Sequence, residues 1–110
     1  MSYSAETIEA VWKKAVRAAS PARGQNVEWG KDSCGAWIRR GDYGRAGLSY
    51  AWKIERIKSA AEGGGDELAN LQPLQWENIA SKGDGELGCV ITSQGFTNVR
   101  VGKGNADTHK

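Results

Sequence analysis

Long apolar runs are missing from this chain of 110 residues. No window approaches the roughly 18 apolar residues of a membrane-spanning helix, so a membrane partner is not expected. The opening, Met1-Ser2-Tyr3-Ser4-Ala5-Glu6, has neither the basic start nor the apolar stretch of a secretory leader. Cysteine and histidine are scarce. Cys34 and Cys89 stand far apart without Cys-x-x-Cys spacing, and His109 is the only histidine, so a four-ligand zinc site is excluded. The two cysteines can form one disulfide, but the missing leader favours reduced thiols packed as small apolar residues, and a cytoplasmic location. The phosphate-loop pattern Gly-x-x-x-x-Gly-Lys-Ser/Thr is absent, as is any Gly-X-Y period or internal repeat.

What is present describes one globular domain spanning 1–110. Apolar residues make up 39% and charged residues 25%, which suits a folded chain rather than a disordered one. A chain of this size buries roughly three-fifths to two-thirds of its unfolded surface. Fifteen glycines mark turns, and five tryptophans against one phenylalanine supply bulk for a small core. The net charge of +2 permits a nucleic-acid partner without demanding one.

Residues 4–20 carry the strongest helix signal. Ser4 can cap the helix, Glu6 and Glu9 suit its positive end, and Pro21 lies beyond it. Ile8, Val11, Trp12, Ala15, Val16 and Ala19 recur at helical spacing, while Lys13, Lys14 and Arg17 fall off that face. Pro21 to Gly30 reads as a loop docked by Trp29. Trp37 and Ile38 read as a short extended piece, and residues 51–58 as a strand. After Gly63 to Gly65, a turn leads to a second strand near Leu71-Gln72. Pro73 can then open a helix over about 74–82. Cys89 to Val101 reads as a hairpin turning at Ser93-Gln94-Gly95, and Gly102 to Lys110 as a frayed tail.

The stretch from Tyr50 to Asp84 resembles the His-Asn-His (HNH) endonucleases of ββα-metal fold. The similarity rests on Asn70-Leu71-Gln72-Pro73-Leu74, Trp76-Glu77-Asn78 and Ser81-Lys82-Gly83-Asp84. It extends upstream through Asp32-Ser33-Cys34-Gly35-Ala36-Trp37-Ile38 and Asp42-Tyr43-Gly44. The resemblance implies a ββα core over about 50–84, which with the long N-terminal helix and the C-terminal hairpin over about 89–101 read above gives an α+β fold. In that family an aspartate on the first strand holds a divalent metal, and the adjacent histidine activates water. Here those positions are Glu55 and Arg56. The orienting asparagine is Asn70, while Gln75 replaces a histidine and Ile79 a metal-binding asparagine.

These replacements imply a dead site. Arginine stays protonated near neutral pH and repels a neighbouring cation, and isoleucine offers no ligand atom. Glu55, Arg56, Asn70, Gln75 and Ile79 are therefore vestigial, and no metal is expected; Mg²⁺ or Mn²⁺ enters only if weak nuclease activity persists. Asn70 is read as a hydrogen-bonded clasp of its loop, and Arg56 as the partner of a carboxylate or backbone carbonyl. Three functions remain. The first is a domain that binds double-stranded DNA or another nucleic acid without cutting it, through Arg39, Arg40, Lys53, Arg56, Lys58 and Lys82. The second is a protein-binding inhibitor or regulator of a nucleic-acid enzyme, of phage or mobile-element type by analogy of fold alone. The third is a weak metal-dependent nuclease acting through Glu55.

Overall fold

A computed structural model describes residues 3–19, 28–81 and 88–101. Pro21, Lys82, Gly83-Asp84 and the tail with His109 lie outside the described residues. The chain enters helix α1 (Ala5–Ala19) through Ser4. The Ser4 hydroxyl accepts the Thr7 N–H at 3.1 Å, and its carbonyl accepts the Ile8 N–H at 3.0 Å. The first satisfies a donor that would otherwise be orphaned at the helix start, and the second is the first bond of the helix ladder. Val11, Trp12 and Ala15 are buried on one face, with Ile8 and Val16 at its margin. Lys13 and Arg17 are exposed, whereas Lys14 is half-buried. Its Nζ donates to the carbonyls of Leu68 and Leu71 at 2.7 and 2.6 Å, tying α1 to a distant loop.

Trp29 lies in a strand rather than the expected loop. Strand β1 (Trp29–Lys31) pairs antiparallel with β2 (Trp37–Arg39), with Gly30 opposite Ile38. Gly30 lets α1 approach closely: a Cβ there would stand 2.6 Å from the Ala15 Cβ. Strand β3 (Trp52–Arg56) pairs antiparallel with β4 (Leu71–Gln75), setting Ile54 opposite Pro73 and Glu55 opposite Gln72. Pro73 therefore sits inside a strand instead of opening a helix. Among the described residues this sheet has two strands, so β4 has an edge where a missing N–H is tolerated. Helix α2 (Trp76–Ala80) starts three residues later and is shorter than expected, with Gln75 as its cap.

The core lies where α1 crosses these strands. Trp12 and Trp52 meet at 5.1 Å between ring centroids, joined by Ile38, Ile54 and Leu71. Trp37 is also buried, whereas Trp29 and Trp76 are half-buried. Strands β5 (Ile91–Gln94) and β6 (Thr97–Arg100) form the expected hairpin. Its turn is Gly95-Phe96, one position later than expected, with Gly95 at φ 66° supplying the left-handed residue. The Asn98 side chain holds the hairpin to the body by bonding the Trp37 N–H and carbonyl at 2.6 and 2.9 Å.

The expectation of reduced, buried cysteines is overturned. Cys34 and Cys89 form a disulfide across a Cα–Cα distance of 5.6 Å, with Cys89 exposed and Cys34 half-buried. The argument for reduced thiols rested on compartment, whereas the fold itself brings both Cα atoms within bridging range. The described residues thus form an α+β structure of two helices and three two-stranded antiparallel sheets. No described helix is long and apolar enough to cross a membrane.

Candidate functional site

The loop between β3 and β4 is built around Asn70. Its Oδ1 accepts the Lys58 N–H at 2.8 Å, and its Nδ2 donates to the carbonyls of Lys58 and Gly65 at 3.0 and 2.8 Å. Both polar atoms of the side chain are engaged in closing the loop. The closure is tight: a Cβ at Gly64 would lie 1.8 Å from the Lys58 oxygen and 2.8 Å from Asn70 Nδ2. Glycine is required there by contact, not by dihedral angle.

This clasp presents Asp66 to Arg56. The Arg56 Nε and one terminal nitrogen both reach Asp66 Oδ1, at 2.9 and 2.8 Å. The side chains are 35% and 49% exposed, so the pair sits at the solvent boundary. Tyr3, just ahead of the Ser4 cap, packs on the core with its hydroxyl in the electrostatic field of Asp66. Partial burial and the nearby Asp66 charge push the Tyr3 hydroxyl above its ordinary pKa, and Glu55 adds to this while Arg56 opposes it. Glu55 itself is half-buried and leaves β3 on the face opposite Arg56.

Gln75 and Ile79 have structural surroundings. Gln75 is 1% exposed; its Oε1 accepts the Glu77 N–H at 2.8 Å, and its Nε2 donates to the Ser49 carbonyl at 3.1 Å. Ile79 is a half-buried hydrocarbon on α2. A divalent metal as implied by the resemblance does not fit this set. Asn70 has no free polar atom, position 79 has no donor, and a guanidinium stands at position 56. Among the described residues no three His, Cys, Asp or Glu side chains gather into a ligand group.

The expected basic residues are only partly brought together. Arg56 and the exposed Lys58 share one end of β3. Arg40 pairs with Glu9 of α1 and lies beside Trp52, at the other end of that strand. Four strand steps separate Trp52 from Arg56, about 13 Å. Arg39 is exposed on β2, and Lys53 is exposed on the face of β3 opposite Arg56.

A second polar cluster carries no role in the sequence argument. Asp32 is 4% exposed and accepts four hydrogen bonds. Its Oδ1 takes the N–H groups of Cys34 and Ala36 at 2.9 and 2.8 Å; its Oδ2 takes the Gln75 N–H and Asn78 Nδ2 at 2.8 and 2.9 Å. Asn78 is fully buried, accepting from the N–H groups of Val90 and Ile91 and donating to the Ile91 carbonyl. Burial pushes the Asp32 carboxyl above its ordinary pKa, while the four donors draw it back. The available signal was Asp32 placed three residues before Gly35, the spacing of a side-chain-closed turn. Comparison of the chain with protein-family models, curated proteins and solved structures finds no match.

Proposed function

We propose that this chain is a catalytically inactive domain of HNH type that binds double-stranded nucleic acid at the cleft around Arg56. The strand–strand–helix order from Trp52 to Ala80 supports the ββα part of this reading, since the motif residues fall along it in the required sequence. The observation that carries the binding function is the Arg56 side chain. It directs two N–H groups at a single carboxylate oxygen from a half-exposed position, a donor arrangement that holds a phosphate oxygen equally well. Lys58 adds an exposed cation beside it. Catalysis has no support here, because among the described residues neither a general base nor a metal-ligand set accompanies Glu55. A second reading, a protein-binding regulator, is favoured by Ile57 and Leu68, both about half exposed at the same end of the β3–β4 hairpin.

Fluorescence anisotropy with a short labelled duplex at several salt concentrations tests the proposal, run beside plasmid nicking with Mg²⁺ or Mn²⁺. Binding that weakens steeply with salt, without nicking, is the expected result. Nicking by the unmodified chain overturns the inactive assignment. No binding at low salt overturns the nucleic-acid assignment and leaves the protein partner as the better reading.

A further inference from the structure

We infer that Asp66, presented by the loop that Asn70 closes, is an intramolecular competitor for phosphate at Arg56, so that the site limits its own affinity; this rests on the nucleic-acid reading above. The Asp66 carboxylate occupies the donors a phosphate oxygen would need, and its charge repels an approaching backbone. The backbone holds it there, because Asn70 Nδ2 grips the carbonyl of Gly65, the residue before Asp66. The Tyr3 ring is anchored on the core next to the start of α1, with its hydroxyl near the Asp66 charge. The competitor is therefore positioned by the fold rather than met by chance on a mobile side chain.

Releasing Arg56 adds one phosphate contact. One more contact steepens the dependence of log affinity on log salt by about 0.9 unit. Asp66→Asn is expected to tighten duplex binding about five- to tenfold at low salt, with that change of slope. Tyr3→Phe keeps the ring but removes the hydroxyl, and is expected to give a smaller gain of the same sign. Glu62→Gln makes the same change in net charge on an exposed residue of the same loop that has no bond to Arg56. It should leave the slope unchanged, which separates competition from a general loss of negative charge. Asp66→Asn combined with Arg56→Ala should lose the gain.

Melting by circular dichroism accompanies each variant, and Tyr3→Phe keeps the test open if Asp66→Asn folds poorly. If the unmodified chain binds and neither Asp66→Asn nor Tyr3→Phe exceeds Glu62→Gln, the competitor is overturned and the nucleic-acid reading stands. If neither the unmodified chain nor Asp66→Asn binds, both fall. If only Asp66→Asn binds, the competitor is supported in its strongest form.

Discussion

The molecule contains two carboxylate clusters of opposite character. Asp32 lies 4% exposed beneath four N–H donors, whereas Asp66 lies 49% exposed against one guanidinium. Asp32 is shielded from bulk solvent, so every donor that meets it becomes costly once the carboxylate is gone. Around Asp66 water, salt or another anion can take over either partner at little cost. A buried and fully bonded cluster therefore specifies architecture, and a half-exposed pair can exchange its anion for one supplied from outside. For this reason the functional reading is placed at Arg56 and not at the more elaborate network.

The sharpest way to break this contrast is to delete the buried carboxylate. Asp32→Ala leaves the N–H groups of Cys34, Ala36 and Gln75 and the amide of Asn78 without their acceptor. Each buried unsatisfied donor costs about 1–3 kcal/mol, with partial relief from water entering the gap. A loss of at least about 3 kcal/mol is expected in urea denaturation, a large share of the total stability of a domain this size. A loss below about 1 kcal/mol would show that the network is incidental to the fold.

The disulfide gives the next largest effect. It closes a loop across a sequence separation of 55, for which loop-closure entropy suggests about 4 kcal/mol, and measured bridges commonly give about 2–4. Cys34→Ser with Cys89→Ser should lower stability by that amount. The double variant should nonetheless keep its native near-ultraviolet circular dichroism, because the hairpin remains held by Asn98 on Trp37 and by Asn78 on Val90 and Ile91. Loss of the near-ultraviolet signal under native conditions would make the bridge, and not the polar network, the principal fastening of the hairpin.

The sequence made some of this legible and hid the rest for physical reasons. Helix α1 was readable because its cap, its periodic face and its charges all lie within one segment. The pairing of β3 with β4 and the clasp at Asn70 followed from a continuous motif. Pro73 misled because a proline suits both the first turn of a helix and the edge of a sheet, and the pairing of β4 with β3 on one side alone among the described residues decides between them. Asp32 was opaque because half its donors come from Gln75 and Asn78, more than forty positions away. The cysteine pair was opaque for the same reason. At the candidate site a carboxylate partner for Arg56 was foreseeable, but Asp66 among the loop acids was not. Its selection depends on the Asn70 clasp, which fixes the path of the loop at Gly65, the residue before Asp66.

The smallest expected effect sharpens the comparison from the exposed side. Arg56→Ala removes an ion pair whose members are 35% and 49% exposed, so solvent screening leaves it worth only a few tenths of a kcal/mol. Replacing a long side chain by alanine in a strand adds a cost of similar size. Stability in urea denaturation should therefore fall by less than about 1 kcal/mol with an unchanged m-value, even though the same substitution, made in the Asp66→Asn background where Arg56 is free for phosphate, lowers the salt slope of duplex binding by about one unit. That combination, little change in stability with a clear change in binding, separates a ligand contact from a structural one. If Arg56→Ala destabilised the chain as severely as Asp32→Ala, the Arg56–Asp66 pair would belong to the architecture. Its carboxylate would then not be exchangeable for phosphate, because releasing it would cost more than a single phosphate contact returns.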